Sequence, residues 1–265
     1  MPGHQNTVFL STLVLGTAVA AGVAYYIHTQ PKRKVIVQAP RSIPDAPSLE
    51  PSLTNPALID RDRLYTDRLY RFQYLCSFAD FDDSDIAAIK ASAPLIAPLV
   101  PTIVDAVYER LFSFDITKSS FTQKNEGFEG EVSDLDHLTL DHEQIKFRKN
   151  HLKGYLVKLV SAEYDAKFVN YLDWVGRIHV RNQLKASKIN VEYVHINALF
   201  AFLHGFLAET LSNLPDLQRN PKVRTKTLAA FSKLLWIQND FFVKYYVKDG
   251  RDLIESAPEN QVRSV

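Results

Sequence analysis

The sequence predicts an all-α protein. Apolar residues recur at helical spacing in several long segments, and no apolar–polar alternation typical of a strand persists along the chain. Bulky aromatic residues outnumber glycine, with 16 Phe and 12 Tyr against 9 Gly, which favours helices around a core of large side chains. Because the predicted helices are uneven in length and several connections are short, we expect about seven or eight helices in an irregular arrangement rather than a symmetric four-helix bundle.

The N-terminal segment is the most apolar part of the chain. Residues 7–27 contain no charged side chain, and as a helix they span a hydrocarbon core of about 30 Å. Lys32, Arg33 and Lys34 follow, whereas residues 1–6 contain no Lys or Arg. The positive-inside rule therefore places the rest of the protein in the cytosol. We interpret residues 1–30 as a single transmembrane anchor; the alternative is a signal peptide cleaved after the motif at 18–20.

Three further segments follow the predicted anchor. Residues 31–59 are rich in proline, which is typical of an extended linker. The folded domain is predicted over 60–248, and residues 249–265 form a C-terminal tail.

The sequence predicts a series of helices in the folded domain. The first opens at Asp60, and an acidic cap at 82–85 begins a short helix that ends near Ala91. Prolines between 94 and 101 mark the start of the next helix, which ends near Phe112. The remaining segments are, in order, a short helix or turn at 115–123, a loop at 127–136 and helices at 139–162, 166–181, 190–213 and 221–247.

Composition and motifs exclude several functional classes. A net charge of +1 gives no indication of nucleic-acid binding. Because Cys76 is the single cysteine, the chain has no intrachain disulfide and no cysteine set for zinc or an iron–sulfur cluster. The sequence lacks HExxH, GxSxG, P-loop and GxGxxG motifs, and Glu-x-x-His pairs do not recur across two helices. We therefore expect no catalytic residues and no dedicated acid–base group.

One helical histidine stands in a distinctive context. Phe168, Leu172 and Val175 recur at helical spacing, so His179 is expected beside an apolar stripe. Gly176 lies just before it and is expected to leave room for a flat ligand near the backbone. Haem iron commonly takes one neutral imidazole of this kind as its proximal ligand. The alternative is an ordinary core or surface histidine.

Two segments resemble protoglobins and the sensor domains of globin-coupled sensors. The stretch 173–181, DWVGRIHVR, resembles their proximal-helix signature, in which a histidine follows a glycine by three positions. The stretch 105–108, DAVY, resembles their distal-helix segment, in which a tyrosine often faces the bound gas. The resemblance covers residues 60–248 and implies a globin-like helical sandwich with an extra N-terminal helix.

The resemblance implies haem b as the cofactor and assigns residues to its two sides. His179 becomes the proximal iron ligand, and Tyr108 a hydrogen-bond donor to iron-bound O₂. Leu152 falls on the distal helix facing the pocket, and Val107 stands where protoglobins can carry a tryptophan that restricts the distal side. Two further residues are expected at the haem, namely Trp174 as a pocket wall and Val175.

At the level of function, the resemblance implies a globin that binds O₂, NO or CO at a membrane, as a gas sensor or carrier. It also implies a homodimer through the last two helices, at 190–213 and 221–247. The competing hypothesis is a haem-free helical adaptor tethered to a membrane, in which His179 is an ordinary core residue.

Overall fold

The computed structural model describes residues 56–180, 189–247 and 249–250. All regular structure in these ranges is helical, which confirms the predicted all-α class. The predicted anchor at 7–27, nearly all of the proline-rich linker and the tail beyond residue 250 lie outside the described residues.

The described chain forms ten α-helices and two short 3₁₀ segments. The 3₁₀ segments are Ala97–Leu99 and Ser120–Thr122. The α-helices are α1 (Arg61–Thr66), α2 (Arg68–Phe78), α3 (Asp83–Ile96), α4 (Val100–Phe112), α5 (Asp115–Ser119), α6 (Glu143–Ser161), α7 (Ala166–Ile178), α8 (Tyr193–Asn213), α9 (Pro215–Gln218) and α10 (Pro221–Val243).

Aspartate side chains fix several helix starts. Asp60, Asp67 and Asp165 each accept hydrogen bonds from backbone N–H groups in the first turn of the helix that follows. At the start of α3, Asp82 and Asp85 form a reciprocal capping box. The acidic cap predicted at 82–85 is therefore present.

Several helix boundaries differ from the predicted ones, including the start of α8 at Tyr193 rather than residue 190 and the end of α10 at Val243 rather than residue 247. Helix α3 does not end near Ala91 but continues through Pro94 to Ile96. Helix α6 begins at Glu143 rather than at residue 139, because the preceding residues form turns. Helix α7 ends at Ile178, so that His179 is its C-cap rather than a residue of its interior.

Helix α10 is the central helix of the domain. It contacts α2, α3, α7 and α8, while α6 packs across α3 and α4. Ile89, Leu172, Leu234 and Phe241 are almost completely buried and belong to one continuous apolar core. Helix α7 contacts both α2 and the central helix α10.

Ion pairs connect α2 to α7 and α10. Arg71 donates from Nε and Nη2 to the carboxylate of Asp240 at 2.6 and 2.7 Å. Arg68 lies 3.4 Å from the buried Asp173 of α7, which also pairs with Lys244 beyond α10. Helix α2 is thus part of the folded domain.

Two helical stretches of the described residues are long and apolar enough to cross a membrane, Asp83–Phe112 and Tyr193–Asn213. Length and composition alone give this result, and core helices pass the same test. The first stretch carries Ile103 and Val104 of the apolar core. Neither stretch bears on the predicted anchor at 7–27.

Candidate functional site

His179 lies where α7 ends against α10. The apolar face of α7 buries Phe168, Leu172 and Val175, as the helical spacing predicts. The backbone of His179 still has α-helical angles, and its side chain is half-buried. The histidine therefore stands at the end of an otherwise buried helix face.

A hydrogen bond orients the His179 ring and sets the tautomer of its neutral form. Its Nδ1 lies 2.7 Å from the carbonyl oxygen of Val175. Because a carbonyl only accepts, the proton must be on Nδ1, and the lone pair of the neutral ring is then on Nε2. This arrangement is the one that metal-bound histidines use to orient the ring and raise its basicity.

An aromatic side chain packs against His179. The ring of Phe242 is nearest, with centroids 5.2 Å apart. Phe242 belongs to a second apolar cluster, separate from the main core, which we call the His179 cluster. Its members are Val175, Ile196 and Phe242, with Tyr155, Tyr171, Val191, Tyr193, Phe200 and Tyr246 packed around them.

Gly176 does not leave space for a ligand as expected. A Cβ atom built on it would meet the carbonyl oxygen of Phe241 at 2.0 Å. The missing side chain therefore serves the close approach of α7 to α10, and that expectation is wrong.

Tyr108 lies in the main apolar core. It is on the buried face of α4 with 6% of its surface exposed, and its ring centroid is 5.6 Å from that of Phe121. Within the described residues, its hydroxyl makes no hydrogen bond. Burial raises the pKa of Tyr108 well above its ordinary value, against a smaller lowering by Arg148, so the phenol keeps its proton. It is a buried donor without a protein acceptor in this part of the chain.

The remaining predicted site residues divide into buried and exposed positions. Val107 is buried beside Tyr108 in the main core, and Leu152 is half-buried against the same core. Val175 is buried in the His179 cluster. Trp174 is 40% exposed and stacks on Tyr171 at 5.9 Å, so its burial does not support a role as a pocket wall.

The structure does not bring His179 and Tyr108 into contact. Tyr108 belongs to the main core and His179 faces the His179 cluster, and both groups of residues include Tyr155 and Phe200.

Several polar residues of this region were missed by sequence reasoning. Tyr155 donates to the side-chain oxygen of the buried Gln238, whose Nε2 is unpartnered within the described residues. Arg148, Leu152 and Tyr155 lie at helical spacing on α6. The sequence contained a signal for both residues. Arg148 is four residues before Leu152 and Tyr155 is three residues after it, so all three are expected on one face of the helix.

The residues present fit a haem group. A neutral imidazole whose Nε2 carries the lone pair is the ligand that haem iron takes, and the residues of the His179 cluster are apolar or aromatic, as a large apolar ring requires of its neighbours. The Nε2 of Gln238 is a buried donor without a hydrogen-bond partner in the described residues, and a ligand acceptor could satisfy such a group.

Comparisons with known proteins agree with this arrangement. The protoglobin family model matches residues 69–252. Among solved structures, the chain is similar to the globin domain of a globin-coupled sensor from Geobacter sulfurreducens, with 19% identity and a TM-score of 0.51. That match covers 66% of this chain and 96% of the other. No curated protein matches the chain. The structural likeness confirms the predicted globin-like fold.

Proposed function

Since the chain belongs to the protoglobin family, we propose that it is a haem-binding globin that reversibly binds a diatomic gas, O₂, NO or CO. Haem b is the cofactor of this proposal. His179 is the proximal iron ligand, and Tyr108, Val107 and Leu152 lie on the gas side. The bound haem supplies an iron with an open position for a gas molecule.

The single observation that carries the proposal is the hydrogen bond of the His179 ring. With Nδ1 held by the Val175 carbonyl at 2.7 Å, Nε2 presents its lone pair at the end of α7. Phe242 packs against the ring and limits its rotation. The ring is thereby partly ordered before any metal is bound, which lowers the entropic cost of ligation.

The gas side is apolar with one donor. Val107 and Leu152 would limit access of water to the gas side, and the Tyr108 hydroxyl would be the hydrogen-bond donor there. Because the surroundings of Tyr108 are apolar, this hydrogen bond is stronger than it would be in water. In this proposal Val175 lies on the proximal side of the haem, the side of His179, and Trp174 lies only at the outer edge of that side.

The proposal also places the globin at a membrane as a homodimer. Residues 7–27 are apolar and uncharged, and the basic residues at 32–34 favour a cytosolic globin domain. A groove of about 350 Å³ separates the outer sides of α8 and α10. Its walls are mostly apolar, which favours a second copy of these two helices as the covering surface. Sensing and carriage of the gas are both compatible with this arrangement.

A haemin titration of the full chain tests the cofactor. We expect a Soret band that saturates at one haem per chain and shifts with CO after reduction. His179→Ala should lose or alter the band, whereas His204→Ala, an exposed histidine of α8, should leave it unchanged. A helical protein without a Soret band in the presence of haemin would favour the haem-free membrane-tethered adaptor.

A further inference from the structure

Arg148 of α6 is a cation with an unused donor. Its Nη2 donates to the carbonyl of Gln123, while its Nε is buried and has no hydrogen-bond partner within the described residues. The guanidinium carbon lies 5.1 Å from the centroid of the Phe121 ring. The inner edge of the guanidinium thus faces the protein interior.

No carboxylate compensates this charge in the described part of the chain. Neighbouring Lys149 is paired with Asp105 at 3.0 Å, but no Asp or Glu lies within ion-pair distance of Arg148. Burial lowers the pKa of Arg148 from its ordinary value, and only the small effect of Tyr108 opposes this. Arg148 is half-buried and its Nε is shielded from solvent, so an anion at the inner edge would accept from the Nε–H and balance the charge.

Tyr108 provides a second donor in the same neighbourhood. Its ring and the guanidinium of Arg148 both contact Phe121, at 5.6 and 5.1 Å. The Tyr108 hydroxyl is likewise without a hydrogen-bond partner in the described residues. The Arg148 Nε–H and the Tyr108 hydroxyl, two donors without a protein acceptor in the described residues, therefore belong to side chains that contact the same ring, that of Phe121.

We propose that Arg148 and Tyr108 form a binding site for a small inorganic anion such as nitrite. The anion accepts from the Arg148 Nε–H and the Tyr108 O–H, and its charge balances the guanidinium. The anion must be small because Tyr108 and Phe121 are both buried. The site shares Tyr108 with the proposed gas side, but the binding itself requires no haem.

Calorimetric titration of the full chain with sodium nitrite, without added haem and in a buffer with a bulky counter-anion, tests the proposal. We expect saturable binding that weakens roughly tenfold or more in Arg148→Met, because a charge-assisted hydrogen bond is lost. Tyr108→Phe should weaken it about fivefold, as one neutral hydrogen bond is removed. Lys146→Met is the matched control, since it removes an exposed lysine of the same helix that is paired with Glu143, and it should leave the affinity unchanged.

The outcomes separate this proposal from the globin function. Absence of nitrite binding to the unmodified chain, or an equal loss in Lys146→Met and Arg148→Met, would overturn the anion site. Should Arg148→Met fail to fold, Arg148→Lys retains the charge without the Nε–H, and full affinity in that variant would also overturn it. Haem uptake is read independently from the Soret band. A chain that binds haem but not nitrite loses only the anion site, and one that binds nitrite but not haem loses only the globin function.

Discussion

Gly176 of α7 rests directly on the backbone of Phe241 in α10. A Cβ atom at position 176 would lie 2.0 Å from the Phe241 carbonyl oxygen and 2.9 Å from its carbonyl carbon. Since the obstacle is backbone of the central helix, it cannot move aside as a flexible side chain would. The close contact determines how near the end of α7, and hence His179, stands to α10.

Gly176→Ala is therefore expected to destabilise the fold. Overpacking against backbone should lower the free energy of unfolding by about 2–3 kcal/mol, despite the better helix propensity of alanine. Urea unfolding of the full chain measures the change. Gly154→Ala is the matched control, because a Cβ atom on that helical glycine meets nothing within 4 Å. The control should gain about 0.5–1 kcal/mol; equal losses in the two variants would refute the role given to the contact.

Asp85 gives stability that depends on pH. It is 0% exposed, and its oxygens lie 2.8 and 3.0 Å from the ammonium groups of Lys226 and Lys233 in α10. Burial raises the pKa of Asp85, but the hydrogen bonds from the two lysines lower it and prevail, leaving it below the ordinary value of 3.8. Because the folded pKa is depressed, this stabilisation is complete above the unfolded pKa and is lost as pH falls through the folded value.

Asp85→Asn should consequently lower the free energy of unfolding by about 2 kcal/mol at pH 7, with a smaller deficit at pH 3. Urea unfolding at the two pH values checks this. Asp216→Asn removes a carboxylate from an exposed pair with Arg219 and serves as the comparison. A deficit for Asp85→Asn that stays constant between pH 7 and pH 3 would show that the charge of Asp85 is not its source.

The fold was largely predictable because the helical spacing of apolar residues is visible within each segment of the sequence. The faces of α4 and α7, the aspartate caps and the globin-like class all follow from local spacing and from short motifs. Helix α3 was predicted too short because Pro94 was taken to mark the start of the next helix, whereas it occupies the last turn of a helix that continues to Ile96.

The site was less predictable because its features depend on contacts between distant segments. The function of Gly176 depends on Phe241, which lies in another helix. Arg148 has no local motif, and its unpartnered Nε is apparent only once Phe121 and Gln123 cover it. Trp174 was predicted as a wall from its proximity in sequence to His179, but helical geometry turns its indole outward.

Tyr108→Phe tests the donor on the gas side. In the haem-loaded ferrous protein we expect O₂ to dissociate about fivefold faster, because one hydrogen bond of about 1 kcal/mol is lost. Stopped-flow displacement of O₂ by CO measures the rate. Tyr164→Phe removes another buried tyrosine hydroxyl, one that donates to the Leu159 carbonyl at 2.7 Å, and should leave the rate unchanged. An equal rate for unmodified protein and Tyr108→Phe would rule out the donor role.

Trp236 tests the proposed dimer. It is 62% exposed on α10, and helical spacing continues the stripe of Thr225, Ala229 and Ser232 that borders the groove beside α8. Trp236→Glu should weaken dimerisation roughly 100-fold or more, since a large aromatic contact is replaced by a charge. Sedimentation equilibrium of the full chain in detergent gives the association constant. Trp174→Glu, on α7, should leave dimerisation unchanged; a monomeric unmodified chain would contradict the prediction.

The most direct test of the central claim is the vibration of the iron–imidazole bond. Resonance Raman spectra of the reduced, haem-loaded full chain should contain an iron–histidine stretching band that shifts when histidine is labelled with ¹⁵N. We predict that His179→Gly lacks this band and that exogenous imidazole restores an equivalent one, because Nε2 of His179 is the ring atom that the Val175 hydrogen bond makes available. Persistence of the histidine band in His179→Gly would contradict the account, since another residue would then hold the iron.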